Sequence, residues 1–237
     1  MSTTTIEEFL KPDAAIARAK APTGNPTLPQ SVRAFSRHWS PRVLVVGFAI
    51  ELVLRILVGG FSPWDLAVVA GFVAWQPLQE WLIHVYILHW RPRRILGVWV
   101  DPMLARVHRA HHVDPWDEPT LFIPLSTIAF SFFANLGLLF WLMPTTGLAL
   151  TGMLSITGVG IFYEWIHFLV HTAYRPRSKW YRKVWKYHRL HHFKNENYWM
   201  GVTMHQGDWL FGTMPPPRSV ETSPTARDLG GMKDQAL

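Results

Sequence analysis

The chain has 237 residues, of which 49% are hydrophobic and only 16% charged, with 13 Trp and 14 Phe; ordinary soluble domains carry about 25% charged residues. That balance places it in a membrane, and its formal charge of +7 flanks apolar spans, which favours anionic lipid headgroups over nucleic acid as the partner. Cysteine is absent, which excludes disulfides, thiolate metal sites and iron–sulfur ligation by this chain.

Residues 1–42 are polar and broken by Pro22, Pro26, Pro29 and Pro41. They read as a flexible cytosolic segment, with a short helix over Ala14 to Lys20 and a flexible lead-in from Ala21 to Ser31. No apolar core follows Met1, so no cleavable signal peptide is expected. The first apolar span is Val43 to Phe61, interrupted by Glu51 and Arg55, whose i, i+4 spacing predicts a self-neutralising pair. The second is Trp64 to Leu88, with Pro77 expected to kink it. His84 lies 20 residues after Trp64, about 30 Å along a helix and about one hydrocarbon thickness. His89 is five residues further on. A regular helix cannot put both on one face, so if both are ligands the helix must end or distort between them.

A basic, Trp-rich stretch follows from Arg91 to Thr120, then a third span from Leu121 to Met143 without a charged residue, and a turn at Pro144 to Gly147. The fourth span is Gly147 to Val170, and His167, 20 residues after Gly147, repeats the depth of His84. Thr172 to Phe193 is again basic, and the segment 214–237 reads as a disordered tail, rich in Pro, Ser and Thr. Of the 23 Lys and Arg, six lie in residues 1–42, five in 91–120 and eleven in 172–237; the last is Arg55. The positive-inside rule then predicts an all-α integral membrane protein with four transmembrane helices as two hairpins. Both termini and a helical cap lie on the cytosolic side. The domains expected are residues 1–42, a membrane domain 43–213, and the tail 214–237.

Ten of the twelve histidines repeat one phrase twice. Glu80-Trp81-Leu82-Ile83-His84 and His89 precede His108-Arg109-Ala110-His111-His112; Glu164-Trp165-Ile166-His167 and His171 precede His188-Arg189-Leu190-His191-His192. On a helix, positions i, i+3 and i+4 share a face, so each triplet is predicted to aim three imidazoles at one point. Imidazole suits zinc, copper, iron and nickel. Of the other two histidines, His38 reads as a surface residue. His205 is either an eleventh ligand or, in better accord with its setting, a polar or substrate-site residue.

This series of histidines resembles the fatty acid hydroxylase and sterol desaturase superfamily over about residues 43–213, closing with Gly201-Val202-Thr203 and Trp209 to Thr213. The spacings are most similar to those of the fatty acid 2-hydroxylases. The resemblance implies a membrane monooxygenase that uses two iron ions, bound by His84, His89, His108, His111, His112, His167, His171, His188, His191 and His192, with O2 as cosubstrate and a lipid acyl chain as substrate. Zinc could substitute in purified material, but it has no redox chemistry and structural zinc stops at four ligands. Residues 1–42 are too short for the cytochrome b5-like domain often fused in such enzymes, so a separate donor, cytochrome b5-like or ferredoxin plus reductase, is expected.

Soluble di-iron proteins use a Glu-x-x-His from each of two helices. Glu164 and His167 fit that spacing once, but Glu80 is four residues from His84. Glu80 and Glu164 therefore read as acceptors that orient ligand N–H groups, the alternative being buried glutamates paired with Arg109 or Arg189; Asp208 is a further candidate for the outer shell, equally open to a cap or turn role. Trp90, Trp99, Trp180, Trp185 and Trp199 are expected to line the substrate entry. The competing functions are a sterol or lipid desaturase or carotenoid hydroxylase on the same scaffold, and, from another class, a non-catalytic membrane metal-binding protein or transporter. The charge-free span Leu121 to Met143 offers a transporter no path.

Overall fold

The computed structural model describes residues 20–229; the expected helix from Ala14 lies almost wholly outside them. The lead-in is shorter than expected. Helix α1 (Leu28–Phe35) starts at Thr27, whose hydroxyl accepts from the Gln30 backbone N–H while the Gln30 side chain accepts from Thr27 N, a reciprocal capping box with Pro29 in the first turn. Helix α2 (Trp39–Val58) follows. Helix α3 (Pro63–Ile83) begins with a second capping box, Ser62 and Asp65, and runs through Pro77. It continues as a π-helical turn, His84–Leu88, closed by a bond from His89 N to His84 O at 3.0 Å. The distortion demanded by the His84–His89 spacing is this turn: one extra residue per turn brings positions i and i+5 together.

Helices α5 (Leu125–Leu142) and α6 (Thr146–Val170) form a hairpin. Among the described residues, three helical stretches are long and apolar enough to cross a membrane: 63–88, 118–142 and 146–170. The expected first span, α2, is a 20-residue helix that carries Arg42, Glu51 and Arg55 and is not in that set. It packs along α6 and exposes a row of apolar residues that includes Val46, Ile50, Val53 and Leu57.

The predicted Glu51–Arg55 pair does not form. Arg55 turns instead to the α2–α3 connection and the start of α6, where its guanidinium donates to Asp65 at 2.7 Å, to Gly59 O at 2.6 Å and to the Thr151 hydroxyl at 2.9 Å. A buried arginine needs several acceptors to offset its desolvation, and one carboxylate four residues away supplies fewer than this cluster does. Glu51 keeps only a bond from the Thr157 hydroxyl, at 3.0 Å.

Between the π-helical turn and the first His triplet lies a two-stranded antiparallel hairpin, β1 (Arg93–Ile95) and β2 (Val98–Val100), a small departure from the all-α expectation. Its turn residues, Leu96 (φ 48°) and Gly97 (φ 82°), have the positive dihedrals that two-residue hairpin loops require. Helices α4 (Met103–Val113) and α7 (Lys179–Phe193) carry the two triplets, and the short α8 (Gln206–Leu210) follows. A Cβ on Gly207 would lie 2.6 Å from Pro77 O and from Trp81 Cβ, so glycine lets α8 sit directly on α3.

Residues 220–229, part of the expected disordered tail, pack on the molecule; residues 230–237 of that tail lie outside the described residues. Val220, Ala226 and Leu229 are buried, Ser223 N donates to Lys194 O at 2.7 Å, and the Thr225 hydroxyl donates to Glu196 at 2.5 Å. Three apolar residues among the polar ones are enough to seat the segment beside α7.

Candidate metal centre

Every one of the ten box histidines reaches the same region, and they divide into two groups of five. His84, His89, His108, His112 and His191 form one; His111, His167, His171, His188 and His192 form the other. Within each group one ligand nitrogen per residue lies within 4.8 Å of the rest. The triplets are therefore split, which corrects the expectation of three imidazoles at one point. His108 and His112 stay with the histidines of their own repeat, whereas His111 crosses to the other group; His188 and His192 likewise stay and His191 crosses. A helix turns about 100° per residue, so i and i+4 differ by about 40° while i+3 and i+4 differ by about 100°. Two adjacent metal sites can use that difference, with α4 and α7 wedged between them.

The tautomers follow from the hydrogen bonds. Nδ1–H of His84 donates to Met200 O at 2.5 Å, that of His112 to Ala226 O at 2.8 Å, that of His167 to Leu121 O at 2.9 Å and that of His191 to Tyr198 O at 2.9 Å. A carbonyl only accepts, so each of these rings carries its proton on Nδ1 and presents a lone pair at Nε2. Those lone pairs face other imidazole nitrogens: His84 and His108 Nε2 are 3.1 Å apart, His167 and His111 Nε2 3.2 Å. Nε2 of His89, His112 and His191 is buried without a hydrogen-bond partner among the described residues. Burial holds the α4 and α7 histidines well below the usual imidazole range, His112 at about 3. Neutral, convergent, unpartnered nitrogens fit two nitrogen-liganded transition-metal ions; hydrogen bonding alone leaves them unsatisfied.

Glu80 and Glu164 do not touch the ligand N–H groups, and this corrects their expected role; Asp208 does not touch them either. They bind the loops whose carbonyls do. Glu80 accepts from Val202 N and from Thr203 N at 2.8 Å and the Thr203 hydroxyl at 2.5 Å. Asp208 accepts from Met200 N at 2.8 Å and Gly201 N at 2.9 Å. Glu164 accepts from the Ser40 hydroxyl and from Ile123 N at 2.9 Å. Neither glutamate pairs with a triplet arginine. Arg109 binds Asp101 at 2.7 Å and donates to Trp90 O, one residue after His89. Arg189 donates to Thr172 O, one residue after His171, and to Val170 O. Each arginine thus ties its triplet helix to the segment carrying the preceding histidine. His205 stands 3.4 Å from Asp208, edge-on to Tyr187, and belongs to neither group. His38 stacks on Phe122 and meets Glu118 at 3.1 Å near the surface.

A cavity of about 600 Å³ opens among α2, α3, α5 and α6 and ends at His84. Its walls are mostly apolar, with Val43, Leu44, Ile83, Ile128 and Met153 among them. None of the five tryptophans expected at the entry lines it, and Trp199 is fully buried, donating to Pro215 O at 3.1 Å. Tyr163 does line it and stacks on His167 at 5.7 Å; its place one helical turn before His167 was the available signal.

A helical, apolar-surfaced scaffold carrying two five-histidine groups has the make-up of a membrane-type protein able to hold metal ions. Residues 68–213 match the fatty acid hydroxylase family, and the chain belongs to that family. Dihydroceramide fatty acyl 2-hydroxylase FAH2 of Arabidopsis thaliana is 28% identical over 65% of this chain and 63% of its own length. FAH1 of the same plant is 28% identical over 76% of this chain and 75% of its own. Ceramide very long chain fatty acid hydroxylase SCS7 of Saccharomyces cerevisiae (strain ATCC 204508 / S288c) is 30% identical over 62% of this chain but only 37% of its own length. The chain therefore spans between about a third and three quarters of these curated relatives. The solved structure of full-length Scs7p, in which only the hydroxylase domain is visible, superposes with a TM-score of 0.57 at 21% identity, over 77% of this chain and 66% of that one, and so shares the fold.

Proposed function

We propose that this chain is a membrane-embedded, O2-dependent lipid hydroxylase with two iron ions, acting on an acyl chain at a carbon near the polar head, as a fatty acyl 2-hydroxylase does. The observation that carries this reading is the pair of five-histidine groups with neutral imidazoles, next to a mostly apolar cavity of about 600 Å³. Among nitrogen-favouring metals iron supplies the redox chemistry for O2 activation that zinc lacks. The overall balance is R–H + O2 + two electrons + two protons giving R–OH + H2O, so a separate electron donor, cytochrome b5-like or ferredoxin plus reductase, is part of the reading.

The chain's own residues have definite tasks in it. The ten box histidines are the ligands, and the carbonyls of Met200, Leu121, Tyr198 and Ala226 hold four of them in one tautomer. The apolar cavity holds the chain and excludes water from the reacting carbon. Tyr163, between cavity and His167, borders the reacting end. The apolar rows on α2, α3 and α5 face lipid, α2 being the fourth span. The Lys- and Arg-rich segments then put both termini and the histidine cap on the cytosolic side. Reporters at Phe61 and Thr146 should both read the opposite side, and a cytosolic signal at either overturns the two-hairpin topology.

The deciding experiment supplies labelled O2, a reductase system and a long-chain ceramide or fatty acyl lipid to purified protein, then locates the new oxygen. Label at the carbon next to the carbonyl is expected. A double bond without added oxygen moves the assignment to a desaturase, and oxygen from water refutes the hydroxylase.

A further inference from the structure

The cavity between the spans is mostly apolar, and its polar lining residues include an acidic one well away from the histidines. Glu51 lines it, with Thr157 and Gln76 also in the lining. Glu51 is 5% exposed; its Oε1 accepts from Thr157, and its Oε2 is buried with no hydrogen-bond partner among the described residues. The cation four residues away that could have neutralised it, Arg55, is committed to Asp65, Thr151 and Gly59. Gln76 donates instead to Glu80, at 3.3 Å. A carboxyl group within the hydrocarbon is expensive and is found where it meets a substrate or another polar partner. Among the described residues no cation pairs with Glu51, and Thr157 satisfies only one of its two oxygens.

Its depth can be placed. Thr157, bonded to Glu51, is ten residues before His167 on α6, about 15 Å along the axis. Gln76 is eight residues before His84 on α3, about 12 Å. An extended alkyl chain advances about 1.25 Å per carbon, from ~1.5 Å bonds at near-tetrahedral angles. The distance from histidines to Glu51 is therefore roughly ten to twelve carbons.

We propose that the cavity is selective for an acyl chain bearing a hydroxyl group some ten to twelve carbons from the end held at the histidines, with Glu51 Oε2 as the hydrogen-bond acceptor. This rests on the reading of the cavity as the acyl-chain site. It adds that the preferred substrate already carries one oxygen in mid-chain. An unsubstituted chain would lie against the carboxyl group and leave it without a partner, which costs far more than one methylene gains.

The test measures binding, so it stands apart from turnover. Purified full-length protein in detergent is titrated with a long saturated fatty acid and with the same acid carrying a hydroxyl about eleven carbons from the carboxyl carbon. The hydroxylated chain is expected to bind about tenfold more tightly, the worth of one hydrogen bond to a charged or strongly polar acceptor. Glu51→Leu should erase the difference by tightening the plain chain and weakening the hydroxylated one. Glu51→Gln, nearly isosteric and still an acceptor, should retain a reduced preference and verifies that the site is intact. Equal affinity for both chains in the wild type, failure of either chain to bind, or a preference that survives Glu51→Leu would overturn the proposal. Selective binding without oxidation of any lipid would instead count against the hydroxylase.

Discussion

Glu164 accepts the backbone N–H of Ile123 at 2.9 Å, and two residues earlier in the chain Leu121 O receives the Nδ1–H of His167. The other repeat has the same construction: Glu80 accepts the N–H of Val202, and two residues earlier Met200 O receives the Nδ1–H of His84. Each carboxylate sets the position of a carbonyl, and the carbonyl sets an imidazole. Glu80→Gln and Glu164→Gln place an amide NH2 against N–H donors in half of its orientations, loosening the loop without emptying space. Metal affinity is expected to fall about 10- to 100-fold in each variant, measured against a competing chelator, with the unfolding midpoint nearly unchanged. Wild-type retention of metal in both would remove the role.

The crossing of His111 and His191 predicts an unusual pattern in double variants. His111→Ala with His188→Ala removes two nitrogens from one group and should leave about one metal per chain, since the other group keeps all five. His111→Ala with His191→Ala removes one from each group and should weaken both ions. Metal content per chain, read under chelator challenge, separates this from triplets that each serve a single ion, for which both double variants would remove one nitrogen from each ion and give the same loss.

The segment 223–229 acts as a strap on His112. Ala226 O takes its Nδ1–H, and the Arg227 guanidinium donates to His112 O at 3.1 Å and Val113 O at 2.7 Å, at the carbonyl end of α4. Arg227→Ala should lower affinity for the ion of the His112 group several-fold and leave the His167 group unchanged; Arg227→Lys should restore part of it. Equal loss from both groups would point to general unfolding in place of this local contact.

Acid should destabilise the metal-free protein. His112 is held neutral in the folded state, at about 3, by burial, while an unfolded histidine titrates near 6.5. The folded value is the lower one, so the unfolded chain binds more protons between the two. Stability is complete above about pH 6.5 and declines as pH falls toward 3, by about 1.4 kcal/mol per pH unit for each such histidine. The remaining α4 and α7 histidines shift in the same direction, so the thermal midpoint of metal-free protein should drop steeply between pH 6.5 and 5. A flat profile there would contradict the buried, neutral state.

Much of this protein is written locally. The ten histidines, their two-fold repetition, the equal depth of His84 and His167, and the need for a break between His84 and His89 all follow from spacing along one chain, because helical rise and rotation per residue are constants. The capping box at Thr27 and Gln30, which starts α1 inside a proline-rich stretch, was written there too. Tertiary structure decided what spacing leaves open. Residues i, i+3 and i+4 share a face, but only a second helix on the far side determines that i+3 serves another metal site. The acceptors of His84 and His112 lie 116 and 114 residues away and are backbone carbonyls, which carry no side-chain signature in a sequence. Arg55 left Glu51 for Asp65, Thr151 and Gly59 because a buried guanidinium follows the largest set of acceptors in space, and that set is assembled only when α2, α3 and α6 pack.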